Sequence, residues 1–169
     1  EEPRKGVRPL TRDYYVLNRP LSVIYSMNHE SVMIKLTTDD GTVGWGEILA
    51  PTSPEVAATV IETALAPCLL GANPLEHQAI WNRMYNMFRV RGYHGGFLLD
   101  AISGIDIALW DIKGKVFGQP LWVLMGGAAR ESVPVYVSAN RGDTTAERVE
   151  YVRSLLADGH HAFKLHAVG

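Results

Sequence analysis

The segment from Phe97 to Pro120, FLLDAISGIDIALWDIKGKVFGQP, constrains the fold most, because a single apolar stripe runs along its length. Apolar residues recur three or four positions apart, the spacing of one face of an α-helix. They are Leu98, Ala101, Ile102, Ile105, Leu109, Ile112 and Val116. Gly118 and Pro120 end the pattern, since glycine adopts the left-handed conformation of a helix C-terminus and proline cannot continue a helix. The spacing therefore predicts one long amphipathic helix.

The sequence before this helix has the pattern of strands. Ser31 to Thr38, SVMIKLTT, alternates apolar and polar residues, which is the period of a half-buried strand. The turn residues Asp39 to Thr42 follow, and TVGWGE continues beyond them as a second arm. Tyr14 to Leu17 is a further apolar and aromatic run. Together these runs predict an antiparallel hairpin or a three-stranded meander.

After Gly126 and Gly127 the pattern changes to strand, helix, strand. VPVYVSA, from Val133 to Ala139, is a short apolar strand, and Thr144 and Glu147 have the spacing of a helix-capping box. HAFKLHAV follows the predicted helix as a second strand, parallel to the first. Two parallel strands and one helix cannot cover both faces of a sheet. We therefore expect the chain to be truncated or to rely on a partner.

Composition excludes several classes of partner. The 169-residue chain has a net charge of −2, which gives no basic surface for nucleic acid or for an anionic membrane. No apolar run approaches the roughly 20 residues of a membrane span. The first ten residues, EEPRKGVRPL, lack the apolar core of a secretory signal. These features predict a cytoplasmic protein with neither a nucleic acid nor a membrane partner.

Three motifs carry a family resemblance: TTDDGTVGWGE (37–47), AISGIDIALWDIKGKVFGQPLWVLMGG (101–127) and FKLHAVG (163–169). In this order the chain resembles the N-terminal part of an enolase-superfamily enzyme, and it is most similar to the mandelate racemase and muconate lactonizing enzyme family. The resemblance implies an α+β capping domain over residues 1–125, with an antiparallel β-meander followed by helices. Residues 126–169 would then form the first strand, first helix and second strand of a (β/α) TIM-like barrel.

The resemblance also implies a chemistry. Members bind Mg²⁺ through carboxylates on later barrel strands, and no residue of this chain matches those ligands. The expected reaction removes the proton α to a carboxylate of a small molecule. Dehydration of a sugar acid is the first prediction, with racemisation or epimerisation and cycloisomerisation as alternatives. We expect a homo-oligomer, and we expect this chain alone to be inactive. A different alternative is a complete non-catalytic binding or oligomerisation module.

Lys164 and His166 are the predicted catalytic residues. They stand at the positions of the family's Lys-x-Lys at the end of the second barrel strand, where alternation places both side chains on one face. Lys164 would hold the carboxylate or neutralise the intermediate. His166 departs from the family pattern, and imidazole, with an ordinary pKa of about 6.5, needs far less adjustment to act as a base than an amine at about 10.4. His166 could instead donate a hydrogen bond to substrate or be a structural core histidine.

Two loops of the capping domain would close over the active site. The resemblance places them at about Asn18 to Glu30 and Ile48 to Ser53. The first contains Tyr25, Asn28 and His29, the predicted substrate-binding residues, because their polar groups could bind substrate hydroxyls. Acidic and basic side chains of the long helix are predicted to be structural, with Asp111 pairing with Lys115 one turn later.

Overall fold

The computed structural model describes residues 15–18, 23–26, 28–50, 52–138 and 142–164. The chain forms two compact units, Glu1–Gly127 and Ala128–Gly169. The strands of the first unit are β1 (Tyr15–Asn18), β2 (Val23–Ser26), β3 (Ser31–Thr37) and β4 (Val43–Leu49). Its helices are α1 (Pro54–Val60), α2 (Ala66–Leu69), α3 (His77–Arg89), α4 (Phe97–Phe117) and α5 (Leu121–Leu124), and a π-helical stretch, Ile61–Leu65, joins α1 to α2. The second unit contains β5 (Val137–Ser138), α6 (Thr145–Ala157) and β6 (Phe163–Lys164).

The predicted hairpin is confirmed as β3 and β4, which pair antiparallel from Ser31 opposite Leu49 to Thr37 opposite Val43. Its turn depends on Gly41, which has a φ of 88° in the left-handed region. The Asp40 carboxylate accepts hydrogen bonds from the Thr38 hydroxyl and from the Thr42 amide. These bonds, that of Thr38 first, hold the pKa of the Asp40 carboxyl below its ordinary value.

A second hairpin departs from the predicted arrangement. β1 and β2 pair antiparallel with each other, from Tyr15 opposite Ser26 to Asn18 opposite Val23. Among the described residues they form a sheet separate from that of β3 and β4, so β3 and β4 correspond to the hairpin alternative of the prediction. The strand β2 lies inside the segment predicted as a closing loop. Its composition, Val-Ile-Tyr-Ser, favours extended backbone.

The long helix α4 is confirmed and lies at the centre of the core. It packs against β4 most extensively, and also against β3, α1 and α3. Six of the seven residues of the predicted apolar stripe are buried: Leu98, Ala101, Ile102, Ile105, Leu109 and Ile112. Val116 is the exception at 47% exposed, because it lies in the last turn, beyond the residues that the hairpin covers. Gly118 ends the helix with a left-handed φ of 59°, as predicted.

Glycines set how closely α4 approaches the hairpin. A Cβ atom at Gly44 would lie 2.6 Å from Cγ1 of Ile112, and one at Gly46 would overlap the carbonyl oxygen of Gly104. A Cβ at Gly104 would in turn overlap side-chain atoms of Ile48. The helix backbone therefore rests directly on the strand backbone, which is possible only where both surfaces lack side chains.

The second unit is the predicted strand–helix–strand. β5 and β6 pair in parallel, with Val137 opposite Phe163 and Ser138 opposite Lys164. The first strand begins later than predicted, at Val137, because Val133 to Tyr136 have no strand pairing and their apolar side chains are exposed. The predicted capping box at the start of α6 is confirmed: the Glu147 amide donates to the Thr144 hydroxyl at 3.3 Å, and the Thr144 amide donates to the Glu147 carboxylate at 2.9 Å.

The capping box predicts a pH dependence for the start of α6. Hydrogen bonds from the Thr144 and Asp143 amides lower the pKa of the Glu147 carboxyl below its ordinary value. A carboxyl whose pKa is lower in the folded state than in the unfolded state stabilises the fold fully above its unfolded pKa, about 4.3. This stabilisation is lost as the pH falls through the folded-state pKa. We therefore expect the amide proton shifts of Asp143 and Thr144 to change in one step below about pH 4.3. A Glu147→Gln variant should lack that step, and an unchanged step in the variant would refute the assignment.

Within the described residues, no helix is long and apolar enough to cross a membrane.

Candidate active site

Lys164 is the predicted catalytic residue that the structure describes. It lies on β6, where its side chain is exposed and its backbone is in register with Ser138 of β5. Its neighbour Phe163 is half-buried, as the alternation of a strand requires. Lys164 therefore projects from the accessible face of the parallel pair. His166 lies outside the described residues, so the shared face of the Lys-x-His pair stays a prediction.

The predicted substrate-binding residues belong to the first unit. Asn28 and His29 are exposed, and the Asn28 amide donates to the Ser26 hydroxyl at 3.2 Å. Tyr25 lies on β2, opposite Val16, and its side chain is outside the described part of the structure. These three residues lie in the first unit and Lys164 lies in the second.

The two predicted closing segments meet at one end of the β3–β4 hairpin. The Ala50 amide donates to the Glu30 carbonyl at 3.2 Å, and Ala50 is buried at 5% exposure. Glu30 ends the first segment, and Ala50 lies within the second. A backbone hydrogen bond at a buried position holds the two segments together there. Asn28 and His29 are thus attached to the paired end of the hairpin, and their side chains are exposed.

The other end of β4 is tied to α4 by a charged group. The Asp111 carboxylate accepts hydrogen bonds from the Trp45 amide at 2.8 Å and from the Lys115 ammonium at 2.6 Å. Lys115 also donates to the Val43 carbonyl at 2.7 Å. Burial acts to raise the pKa of Asp111, but these hydrogen bonds and the Lys115 charge together bring it below its ordinary value. The predicted Asp111–Lys115 pair is therefore confirmed.

A polar cluster between α3 and α4 was not predicted from the sequence. The Lys113 ammonium lies 3.3 Å from Nδ1 of His77 and 4.9 Å from the centre of the Trp110 ring. The His77 and Trp110 rings are 4.3 Å apart. Burial raises the pKa of Asp106 beside them, against the opposing effects of the His77 charge and a hydrogen bond from Trp110. The cluster joins α3 and α4. The only sequence signal for it is the spacing of Trp110 and Lys113 along α4.

The described residues do not provide a site for Mg²⁺. No three His, Cys, Asp or Glu side chains in that part of the chain come together in a group that could hold a metal ion. Hard divalent cations need several oxygen ligands, which single carboxylates such as Asp106 or Asp111 do not supply. The residues present therefore do not fit the ion, and the prediction that its ligands lie on other barrel strands stays a prediction.

Comparison with known proteins defines the family. Residues 13–126 match the family described as mandelate racemase / muconate lactonizing enzyme, N-terminal domain. The chain therefore belongs to this family of the enolase superfamily, as its motifs predict. It is 41% identical over 138 residues to the D-galactarolactone cycloisomerase of Agrobacterium fabrum. The match covers 79% of this chain and 35% of that protein.

Solved structures agree with this assignment. A member of the enolase superfamily from Agrobacterium tumefaciens superposes with a TM-score of 0.86 at 36% identity, over 95% of this chain and 41% of that one. A candidate isomerase from Sinorhizobium meliloti, in an open-loop conformation, gives a TM-score of 0.86 at 36% identity, over 92% of this chain and 41% of its own. The chain thus has the fold of an N-terminal capping domain, with antiparallel strands followed by helices. It spans well under half the length of these relatives.

Proposed function

We propose that this chain supplies the capping domain and the first barrel strands of a cycloisomerase acting on the lactone of a sugar diacid. The observation that carries the proposal is the 41% identity to D-galactarolactone cycloisomerase. Sequence similarity to an enzyme supports a catalytic role rather than the alternative of a non-catalytic module. The substrate class agrees with the family resemblance, because such a lactone keeps one free carboxylate.

The chemistry begins with removal of the proton α to the free carboxylate. In a five-membered lactone of a hexaric acid the ring C–O bond lies β to that carboxylate. As the α-carbon loses its proton, a carbon–carbon double bond forms and the ring C–O bond breaks. The electron pair leaves on the ring oxygen, which becomes part of a second carboxylate. The resulting enol takes up a proton to become a ketone, so the product is an isomer of the substrate.

We assign the proton transfer to His166 and the binding of the carboxylate to Lys164. Imidazole can accept a proton near neutral pH, whereas an ammonium group such as that of Lys164 provides charge and three hydrogen-bond donors. The exposure of Lys164 on β6 supports its role, since a side chain that binds substrate must be accessible. Asn28 and His29 would bind substrate hydroxyls and help exclude water. Mg²⁺ stays an expectation from the family.

Dehydration of a sugar acid is the second candidate. It shares the first step, and differs in that a β-hydroxyl leaves as water in place of the ring oxygen. The exposed polar side chains of Asn28 and His29 favour it, because an open-chain sugar acid presents more hydroxyl groups than its lactone. Association of copies and a cytoplasmic location are part of the same proposal.

A chimaera tests the function. Residues 1–169 would replace the matching part of the Agrobacterium fabrum cycloisomerase. The control is the same cycloisomerase with that part deleted and nothing put in its place. We expect turnover of D-galactarolactone to a product of unchanged mass, with kcat within about tenfold of the relative's, or about 1.4 kcal/mol in the barrier. Turnover of sugar acids alone, with loss of water, would favour the dehydratase. A folded chimaera that turns over neither substrate would refute the proposal.

A further inference from the structure

The hydrogen bonds of the β3–β4 hairpin show which backbone groups of β4 point away from β3. At the turn the Thr38 amide donates to the Thr42 carbonyl, and at the other end the Ala50 amide donates to the Glu30 carbonyl. Because hydrogen-bonded and non-hydrogen-bonded pairs alternate in an antiparallel ladder, even-numbered residues bond across the hairpin. The odd-numbered residues of β4 therefore direct their amides and carbonyls to its free edge. They are Val43, Trp45, Glu47 and Leu49.

Two charged side chains of α4 occupy part of this free edge. The Lys115 ammonium donates to the Val43 carbonyl at 2.7 Å. The Asp111 carboxylate accepts from the Trp45 amide at 2.8 Å, and it lies 2.6 Å from the Lys115 ammonium. One residue of a parallel neighbouring strand would bond to the same carbonyl and the same amide through its own backbone groups. The Asp111–Lys115 pair thus stands where a strand residue would lie beside β4.

The directions and spacings of α4 and β4 make this arrangement possible. A Cβ atom at Gly44 would meet Ile112. Two residues further along β4, a Cβ atom at Gly46 would meet Gly104, which comes earlier in α4, so the two elements run antiparallel. Alternate residues of a strand are about 6.8 Å apart, and residues four apart on a helix are about 6 Å apart along its axis. Side chains one helical turn apart can therefore follow alternate residues of the strand.

The charged cover of the edge ends one helical turn earlier in α4. There the same row of the helix has Ile107, whose side chain is 47% exposed and cannot form a hydrogen bond. Within the part of the chain that the structure describes, no hydrogen bond reaches the Glu47 amide, which faces the same edge. The free edge of β4 is therefore occupied at Val43 and Trp45 and open at Glu47.

We propose that the Asp111–Lys115 pair closes the free edge of β4 to strands of other molecules. Unpaired amides and carbonyls along an edge strand are a template for pairing with another chain, and charged side chains are one of the means that prevent it. Here the two charges also bond to the backbone groups that they cover. An incoming strand would have to break both of these bonds. The proposal does not depend on the reaction that the protein catalyses.

Hydrogen exchange of single amides, followed by NMR of the 169-residue chain, tests the proposal. The Trp45 amide should be protected at every protein concentration, whereas the Glu47 amide should exchange fast. Asp111→Ala removes the acceptor, so at low concentration the Trp45 amide should exchange at least about tenfold faster, as expected for loss of a hydrogen bond to a charged group. At high concentration its protection should return, because β4 then pairs with a strand of another molecule. Asp111→Asn keeps an acceptor oxygen and should retain most of the protection.

A matched variant separates closure of the edge from loss of stability. Ile112→Val removes a buried methyl group from the same turn of α4, which weakens the core and leaves the ion pair in place. The Trp45 amide should stay protected in this variant, independently of concentration. Precipitation of Asp111→Ala as intermolecular β-sheet, with Ile112→Val soluble, would also support the proposal. Equal association of the two variants, full protection of Trp45 in Asp111→Ala at low concentration, or no return of its protection at high concentration would each overturn it.

Discussion

Replacement of Gly46 by alanine is expected to cost the first unit about 3 kcal/mol of unfolding free energy, the upper part of the range for overpacking. The added Cβ would overlap the carbonyl oxygen of Gly104 and lie 3.0 Å from the amide nitrogen of Ala108. Both are backbone atoms of α4, so no side chain can rotate to make room. Relief requires the helix to move away from β4, and such a shift would separate Ile105 and Ile48 from their neighbours in the core.

Urea unfolding followed by circular dichroism measures this effect. With a slope of about 2 kcal/mol per molar, the midpoint for Gly46→Ala should fall by about 1–2 M. Gly95→Ala is the matched control, because Gly95 does not have a positive φ and no atom lies within 4 Å of its Cβ position. It should change the stability by less than about 1 kcal/mol. Equal losses in the two variants would show that the close approach of α4 to β4 does not limit stability.

Loss of the imidazole of His166 is expected to reduce catalysis most. In the chimaera described above, His166→Asn should lower kcat about 10²–10⁴-fold, which is the usual contribution of a general acid or base. Lys164→Met should chiefly raise KM, because the carboxylate loses its charged partner. His161→Asn is a matched control, since His161 is exposed and precedes β6. If His166→Asn kept the α-proton exchange rate of the original, His166 could not be the base.

The periodic elements could be predicted from the sequence. The stripe of α4, the alternation of β3 and the capping box of α6 all follow from local spacing, and the structure has each of them. The predicted strand at Val133 to Ala139 began too early, because an apolar run forms a strand only where a partner strand lies beside it. The apolar run from Tyr14 to Leu17 predicted β1, but β2 and its pairing with β1 were not predicted, since four residues are too few to display a period.

Features that depend on distant residues could not be predicted. Gly44 and Gly46 were assigned to a strand, but their contact with α4 becomes visible only when the helix lies on the hairpin. His77 and Lys113 are 36 positions apart, so nothing local indicates that they meet. The candidate site could not be derived from local spacing either. Lys164 and His166 were identified by family resemblance, and the structure supplies only the exposed position of Lys164 on β6.

Exchange of the α-proton in deuterium oxide tests the proposed proton abstraction directly. The chimaera would be incubated with D-galactarolactone or a sugar acid, and the carbon α to the free carboxylate followed by proton NMR. We expect loss of the α-proton signal, or deuterium in the product, at a rate that falls about 10²–10⁴-fold in His166→Asn. A folded chimaera that leaves the α-proton in place on all these substrates would contradict the claim that this chain belongs to a proton-abstracting enzyme.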